Sequence, residues 1–519
     1  MQNTATDAAE LVRHFRSRGI RLWTERGQLR YQAPKGSVSR GHLDTLTAAK
    51  EQLIRLLETD RTHAQRHPLT DLTPQAPLAH SQLAHWNRYR LHQRPSVRQI
   101  ASATRLHGAL QLDVLKQSAS AVLQRHSALR THIVTRDGAL LQQIDDKFHC
   151  EIRMRDLSAH PADRRESELQ QLIDAAILEP TDVTRDPLIT FSLIRLDQDE
   201  HVLVIAMEHM ISDMISMSIL LEDLFHAYHQ VARGQAIYFD NEPAPFSEYA
   251  ASQHQAHELW EHAHRAYWTE RLERWKRIPF PSDSNASAVI QHGWTTVPFK
   301  IGHAVKAQLQ TWCRQRRTTL VMGALAIYAA LVSRWCNVRE IAIPYMFDGR
   351  VDRRFARTIG SFASVLYIHA RLLPEDDGGT FLDRITRAYC EAYRHADHSF
   401  WETQTPPPGF VLNCGFNWLP RAPSIASPAA DSLDSPRSLR LASCRSIPFA
   451  HPMLRALERD SEPVMVLAET AEGIEGEIGF PLNRFSVRWM EYFAAQFLRY
   501  ATVCAREPWR RIQDLPPPP

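Results

Sequence analysis

Short apolar segments with the two-residue period of a strand alternate with longer segments of helical period along most of this chain, from about residue 78 to residue 500. The helical period is clearest in residues 111–126, 217–230, 320–335 and 487–504. The strand-like segments read QIASATRLHG, LITFSLIRL, HVLVIAME, EIAIPYMFDG, SVLYIHARLL, GFVLNCGFNWL and PVMVLAET. Strands that alternate with helices pack as layered α/β units. Since 519 residues exceed what one hydrophobic core normally supports, this pattern predicts two α/β lobes.

The first sixty residues predict a small separate unit. A helical pattern over residues 8–17 ends near Gly19, and IRLWTERGQLRYQAP then alternates around a central turn, as a β-hairpin does. Ser39 is suited to cap a second helix. The predicted organisation is a helix, hairpin and helix in 1–60, a polar linker in 61–77, one lobe in 78–245, and a second lobe with a proline-rich tail in 246–519.

The composition argues against several classes of function. The 61 basic residues nearly balance the 58 acidic ones, and no zinc-finger or RNA-binding motif accompanies the arginines, which argues against a nucleic-acid partner. No run of about 18 apolar residues predicts a membrane span, and the N-terminus lacks the pattern of a secretory signal. The seven cysteines are scattered without a CxxC pair. We therefore expect a cytoplasmic protein with reduced cysteines, no metal site and no membrane partner.

Residues 201–225, HVLVIAMEHMISDMISMSILLEDLF, place polar side chains where a predicted strand passes into a predicted helix. Glu208, His209 and Asp213 interrupt an otherwise apolar run, and burial of such groups without partners costs free energy. Histidine can accept a proton near neutral pH, so His209 is a candidate general base for an attacking amine or alcohol. Asp213 is a candidate to hold an arginine and so to fix the loop. The alternative is that both residues only satisfy local backbone groups.

This segment resembles the HHxxxDG motif of the condensation domains of nonribosomal peptide synthetases. The second motif histidine is His209 and the motif aspartate is Asp213, whereas Glu208 replaces the first histidine and Met214 replaces the glycine. Further segments resemble other motifs of the family in the same order: LAHSQLAHW, RHSALRTHI, PFSEYAASQ and DGRVDRRFARTIGSFASVLYI. The resemblance extends over about residues 78–516.

The resemblance implies an α/β fold of two chloramphenicol-acetyltransferase-like lobes arranged in a V. It implies that His209 is the catalytic base in transfer of an acyl, polyketidyl or peptidyl group from a carrier-protein phosphopantetheine thioester to an amine or alcohol. No bound cofactor is expected, since the carrier protein brings the substrate on its own phosphopantetheine. Asp213 is expected to pair with Arg350, and Arg130 is the other candidate partner. The alternative for both arginines is that they are surface charges.

Residues 1–60 resemble the small docking domain of tubulysin-type synthetases, in which a β-hairpin binds the C-terminal tail of an upstream carrier protein. Such binding adds a strand to an exposed edge, and basic side chains attract an acidic tail. The candidate carrier-binding residues on the predicted hairpin are Arg21, Trp23, Arg26 and Arg30. The alternative is a solvated basic face without a partner.

Two departures from the motif bear on activity. A carboxylate at Glu208 would favour the imidazolium form of His209, which cannot act as a base. Met214 would narrow or reshape the channel where the family's glycine lets the backbone approach the substrate. Both departures favour the alternative of a degenerate recruitment module without catalysis.

Two further alternatives belong to the same fold. An epimerase needs a glutamate-bearing motif that we do not find, and a transferase that uses free coenzyme A thioesters would not need the docking unit. The sequence ends after the condensation-like region, which predicts a freestanding component that meets its donor in trans and suits chain release.

Overall fold

The structure of the protein is a computed structural model, which describes residues 11, 21–25, 28–32, 40–54, 75–92, 100–273, 276–283, 294–396, 414–419, 440–446, 462–470 and 472–515. The strands are β1 (Arg21–Glu25), β2 (Gln28–Gln32), β3 (Gln75–Pro77), β4 (Ile100–His107), β5 (Thr131–Arg136), β6 (Ala139–Ile144), β7 (Ile152–Asp156), β8 (Ile189–Asp197), β9 (Glu200–Met207), β10 (Trp294–Gly302), β11 (Glu340–Phe347), β12 (Ser364–Arg371), β13 (Phe416–Leu419), β14 (Arg440–Ser446), β15 (Val464–Thr470) and β16 (Gly473–Pro481). The α-helices are Arg40–Ala48, His80–His92, Leu112–Arg125, Ala162–Leu178, Met214–Ala232, Phe246–Glu273, His303–Gln315, Leu320–Trp335, Gly378–Tyr393 and Val487–Arg506.

The N-terminal hairpin lies in the segment where the sequence predicts it. Strands β1 and β2 pair antiparallel from Arg21 opposite Gln32 to Glu25 opposite Gln28, so two residues connect them. The helix Arg40–Ala48 follows, as expected, although its predicted cap Ser39 lies outside the described residues. Of the predicted first helix over residues 8–17, only Leu11 is described.

The first lobe is built on a sheet whose strand order among the described residues is β14-β4-β9-β8-β7. Its central strand β9 is buried along nearly its whole length. Successive side chains of a strand point to opposite faces, so a strand covered on both faces is apolar without alternation. Leu203, Ile205 and Met207 pack into one hydrophobic cluster, whereas Val202 and Val204 pack into another on the opposite face.

The second lobe is built on a sheet of strand order β10-β16-β15-β13-β11-β12. The helix Leu320–Trp335 lies within its core and has the bounds that the sequence predicts. A helix that is apolar on all sides has to be covered on all sides. It begins after Thr319, whose hydroxyl accepts a hydrogen bond from the backbone N–H of Met322 at 3.3 Å. The helices Gly378–Tyr393 and Val487–Arg506 pack against it.

Strand β14 crosses between the two halves of the chain. It lies in the part of the chain assigned as a whole to the second lobe, residues 246–519, but it pairs antiparallel with β4 at the edge of the first sheet. Its sequence RLASCRS has none of the β-branched residues that mark a strand, so the periodicity did not indicate it. Pairing with β14 gives hydrogen-bond partners to backbone N–H and C=O groups at the edge of β4 that would otherwise lack them in the sheet. The border at residue 245 stays a prediction.

A membrane span would require a long apolar helix. Among the described residues no single helix combines the required length and apolar character. The consecutive helices His303–Gln315 and Leu320–Trp335 meet the criterion only as a pair, with a bend of 100° between them.

Candidate active site

The loop between β9 and the helix Met214–Ala232 carries the residues that the sequence singles out, and it is buried. Glu208 and His209 are each 3% exposed, as is Asp213 at the end of the loop. The backbone N–H of Glu208 donates to the carbonyl of Leu188 at 2.8 Å, which continues the pairing of β9 past its last residue. The loop therefore starts from a fixed point at the end of a central strand.

One hydrogen bond determines which nitrogen of His209 can act as a base. The Nδ1 atom lies 2.9 Å from the backbone carbonyl oxygen of Ser212. A carbonyl oxygen can only accept a hydrogen bond, so Nδ1 carries the proton. In the neutral ring the lone pair is then on Nε2. The loop thus holds the tautomer that a general base at Nε2 needs.

The carboxylate of Glu208 accepts a hydrogen bond from within the same loop. One of its oxygens accepts a hydrogen bond from the backbone N–H of Met210. The backbone carbonyl of Glu208 accepts a hydrogen bond from the hydroxyl of Ser212 at 2.8 Å, and another from the N–H of Ile211 at 3.2 Å. Glu208 therefore stabilises the turn that presents His209. Whether its charge also holds His209 as imidazolium stays a prediction.

Asp213 and Arg350 form a buried bidentate ion pair, as the sequence predicts. Arg350 donates from Nη1 to Oδ2 of Asp213 at 2.7 Å and from Nη2 to Oδ1 at 2.9 Å, and each side chain is 4% exposed. Asp213 also caps the helix Met214–Ala232 by accepting from the N–H of Ser216 at 2.7 Å. The guanidinium lies 4.2 Å from the ring centroid of Phe362. These contacts anchor the loop and leave Asp213 a structural role.

The segment that carries Arg350 requires glycine at two positions. Gly349 has φ +68°, and a Cβ there would lie 2.0 Å from the carbonyl oxygen of Phe362. A Cβ on Gly360 would lie 2.1 Å from the ring of Phe246. The backbone N–H of Gly360 donates to the hydroxyl of Ser216 at 3.0 Å. Close backbone approach thus brings the segment from the second half of the chain onto the loop of the first half.

The helix His80–His92 covers the loop and adds an imidazole. Gln82 is fully buried and donates from Nε2 to the carbonyl of Met210 at 2.9 Å. The ring centroid of His85 lies 4.2 Å from that of His209, with 30° between the ring planes. Sequence reasoning did not identify His85. The available signal is its spacing of three residues from Gln82, which places both on one helix face.

Residues 73–404, more than half of the chain, match the family model of the Condensation domain. The chain is a member of the condensation-domain family. Its residues 9–59 match the model of the TubC N-terminal docking domain, so both resemblances drawn from the sequence are confirmed.

Curated relatives of this condensation domain are much longer than the chain. It is 29% identical to one of the linear gramicidin synthase proteins of Brevibacillus parabrevis over 332 residues, which are 62% of this chain and 6% of that protein. It is 24% identical to Beauvericin nonribosomal cyclodepsipeptide synthetase of Beauveria bassiana over 426 residues, which are 80% of this chain and 13% of that protein. The chain spans a small fraction of the length of these relatives.

Solved structures share the fold of this condensation domain. The first condensation domain of the calcium-dependent antibiotic synthetase is 17% identical with a TM-score of 0.67, covering 85% of this chain and 99% of that chain. The X-domain from teicoplanin biosynthesis, also solved in complex with OxyB, is 21% identical with a TM-score of 0.68 and covers 85% and 97%. The predicted fold of two α/β lobes is confirmed.

Arg130 of this condensation domain is not the partner of Asp213, so that alternative is wrong. Its Nε donates to the carbonyl of Leu123 at 3.0 Å, and its Nη1 donates to the carbonyl of Asp145. The guanidinium also lies 5.5 Å from the ring centroid of Phe148. Arg130 instead joins the end of the preceding helix to the residue that follows β6. The last carbonyls of a helix have no partner within the helix and can accept such hydrogen bonds.

Of the remaining predicted site residues, Met214 begins a helix and the others belong to the N-terminal hairpin. Met214 begins the helix after the loop and packs against the core of the first lobe. Arg30 is exposed on β2, and Arg21 and Trp23 lie on β1, whose side chains at these positions are outside the described set. Arg26 lies outside the described residues. In the described part of the condensation domain no group of three or more His, Cys, Asp or Glu side chains is arranged to hold a metal ion.

Proposed function

We propose that this condensation domain transfers an acyl group from the phosphopantetheine thioester of a carrier protein to an amine or alcohol, with His209 as the general base. The observation that carries the proposal is the hydrogen bond from Nδ1 of His209 to the carbonyl of Ser212, which leaves the lone pair on Nε2. The family membership supports the reaction class.

The chemistry follows from the position of that lone pair. Nε2 accepts the proton of the attacking N–H or O–H as the nitrogen or oxygen forms a bond to the thioester carbonyl carbon. The tetrahedral intermediate then collapses with cleavage of the carbon–sulfur bond. The imidazolium returns the proton to the departing thiolate, which leaves the carrier with a free thiol. A free amine or alcohol as acceptor would release the acyl chain from the carrier.

Donor recognition is proposed to involve the N-terminal hairpin. The described part of this unit contains a two-stranded sheet, β1 and β2, in which each strand has an outer edge that can accept another strand. Arg30 and Tyr31 are exposed on β2. Arg30, with the other basic hairpin residues Arg21 and Arg26, suits the acidic C-terminal tail of an upstream carrier protein.

The proposal is tested by mass spectrometry of the carrier. A carrier protein with an acidic C-terminal tail is loaded with an acyl-phosphopantetheine and incubated with this protein and a panel of amines and alcohols. We expect the carrier to lose the mass of the acyl group only when both this protein and a suitable acceptor are present, with the amide or ester appearing in equal amount. A carrier that keeps its acyl group with every acceptor contradicts the proposal.

The second candidate is a recruitment module without catalysis. It is favoured by Glu208, a buried acidic residue directly before His209, and by Met214 in place of glycine. The X-domain, of similar fold, has been solved in complex with OxyB, which makes recruitment a reasonable alternative. If no acyl group moves but the protein binds a partner enzyme of the same biosynthetic system in solution, this candidate replaces the first.

A further inference from the structure

A second imidazole faces His209 from outside the motif loop. The rings of His85 and His209 have centroids 4.2 Å apart and planes inclined by 30°. This separation places the two rings in contact, with their planes tilted from parallel. The position before His209 is occupied by Glu208, whose carboxylate accepts from the backbone N–H of Met210. The imidazole next to the candidate base is therefore supplied by the helix His80–His92.

Hydrogen bonds hold the helix that carries His85 to the loop and to the second half of the chain. Gln82 donates to the carbonyl of Met210 at 2.9 Å and accepts from the backbone N–H of Ala79 at 2.8 Å. The hydroxyl of Ser81 donates to the carbonyl of Ser361. His85 follows Gln82 by three residues and Ser81 by four, so the three side chains share one helix face. The helix that carries His85 is thus held in place by several independent hydrogen bonds.

The contact between the two rings restricts the orientation of the His209 ring, which the hydrogen bond to Ser212 does not fix. The hydrogen bond from Nδ1 to Ser212 selects the tautomer of His209. The χ2 torsion of histidine has a broad energy minimum, so the plane of the ring can still turn while this hydrogen bond is kept. A flat ring packed on one face restricts the swing. General base catalysis depends on the direction of the Nε2 lone pair as well as on its presence.

We propose that His85 is a positioning residue, whose ring packs on the imidazole of His209 and holds Nε2 in the direction required for proton transfer. This inference rests on the proposed function of His209. The packing requires a flat ring at position 85 and does not require a titrating nitrogen.

The test compares four variants in transfer from an acyl thioester of N-acetylcysteamine to the acceptor found with the wild-type protein. His85→Ala removes the ring and His85→Phe keeps a flat ring without nitrogens. Asn87→Ala, at an exposed position of the same helix, is the matched control. His209→Ala reports whether the reaction depends on the base. Thermal unfolding of each variant shows whether the fold is kept.

We expect His85→Ala to lower kcat by about 10- to 100-fold with little change in KM, the range that a misplacement of about 1 Å produces. His85→Phe and Asn87→Ala should keep kcat within about threefold of the wild-type value, since neither removes the covering ring. Wild-type kcat in His85→Ala, or an equal loss in His85→Phe, overturns the positioning role. If His209→Ala is as active as the wild type, the proposed function fails instead.

A second readout needs no substrate. The ¹⁵N shifts of histidine side chains report the tautomer, and the signals of His209 are those missing from the spectrum of His209→Ala. We expect the Nδ1–H tautomer in the wild type and in both position-85 variants, because the hydrogen bond to Ser212 selects it, and a more mobile His209 ring, seen in the relaxation of its ring C–H signals, in His85→Ala alone. Relaxation of the His209 ring that is the same in His85→Ala as in the wild type contradicts the inference even if no acceptor for the transfer reaction is found.

Discussion

Gly349 shows how one residue can fix the geometry of the candidate site. Its left-handed φ of +68° and the 2.0 Å approach of a hypothetical Cβ to the carbonyl oxygen of Phe362 leave no room for a side chain. The next residue is Arg350, which holds Asp213. A displacement at Gly349 is therefore transmitted to the ion pair that anchors the loop of His209.

Replacement of Gly349 by alanine should destabilise the protein and lower its transfer activity. Gly234→Ala is the matched control, because Gly234 has φ +72° but nothing within 4 Å of the added Cβ. The control should cost only the backbone strain, about 1 kcal/mol. Gly349→Ala should cost clearly more, since a backbone carbonyl must also move. Unfolding in urea compares the two variants, and equal losses of stability would show that the approach to Phe362 is unimportant.

Single residues of the site were predictable to different degrees. His209, Asp213 and Arg350 were identified because each occupies a position in an ordered set of motifs. Arg130, the other candidate partner of Asp213, was wrong as that alternative, because an arginine in a motif can satisfy helix-end carbonyls as well as a carboxylate, and the sequence does not distinguish these. His85 is one of 26 histidines, and its proximity to His209 depends on the packing of a helix that periodicity cannot place.

At the scale of elements, a buried network joins the helix Met214–Ala232 to the end of the helix Leu112–Arg125. Asp223 lies between Nε2 of His126 at 2.9 Å and Nε of Arg125 at 3.0 Å, and it also accepts from Arg357. Burial lowers the pKa of His126 below its usual 6.5, although the hydrogen bond and charge of Asp223 oppose the shift. Neutral His126 is therefore the form that the folded protein favours.

The stability of this contact should depend on pH. In the unfolded chain His126 takes up a proton as the pH falls through about 6.5, whereas in the folded protein its lowered pKa delays protonation. The unfolded state then binds more protons, so the stability contributed by neutral His126 is lost as the pH falls below 6.5. His126→Gln can still donate to Asp223 but does not titrate.

The measurement is the unfolding midpoint of both proteins at several pH values between about 7.5 and 5, a range that brackets the ordinary histidine pKa. The wild type should lose more stability on acidification than His126→Gln. Parallel curves would mean that His126 has the same pKa in the folded and unfolded states.

The hairpin β1–β2 should contribute to recognition and not to chemistry. Charge reversal at Arg21, Arg26 and Arg30 should slow transfer from a carrier protein with an acidic tail, and the remaining rate should be less sensitive to salt, because exposed charges are screened over about 8 to 10 Å. Transfer from an N-acetylcysteamine thioester should be unchanged. Lys50→Glu, at an exposed position of the same unit, is the control. Equal losses with both donors would assign the hairpin to stability of the whole protein.

Elements with a strong apolar period were predictable, and others were not. Strand β9 and the helix Leu320–Trp335 are buried on all sides and have near-continuous apolar sequences. Strand β7, with the sequence IRMRD, is largely exposed beyond its first residues, so its composition is that of a loop. Such strands form because backbone pairing with a neighbour stabilises them, which is a property of the sheet and not of the segment.

At the scale of the whole molecule, the segment around Arg350 and strand β14 are two of the long-range connections that the described residues make between the halves of the chain. The segment around Arg350 leaves β11 of the second sheet and packs its buried side chains, Phe355 and Phe362 among them, into the core of the first lobe. Strand β14 extends the first sheet from the second half of the sequence. The pair between Asp213 and Arg350 lies at the first of these connections.

Asp213→Asn should therefore weaken both stability and activity. Removal of one partner of a buried ion pair leaves an uncompensated charge, which costs about 3 to 5 kcal/mol. The control is Glu472→Gln, which breaks the exposed pair with Lys300 and should leave the unfolding midpoint unchanged. If Asp213→Asn retains wild-type stability and changes only the affinity for substrate, Asp213 contacts substrate and its structural role is wrong.

Periodicity predicted two lobes because the alternation of strands and helices sets the layers of an α/β fold. It could not predict that β14 crosses to the first sheet. Strand order across more than 300 residues depends on which edges remain open after both lobes have folded, and no local pattern encodes it.

The central claim is that Nε2 of His209 is the base for acyl transfer. The most direct measurement is the single-turnover rate of transfer from an acyl-loaded carrier protein in the wild type and in His209→Ala, with thermal unfolding to show that the fold is kept. The account predicts a loss of about 100-fold or more, the usual contribution of a general base, at an unchanged unfolding midpoint. A rate in His209→Ala close to that of the wild type would contradict it.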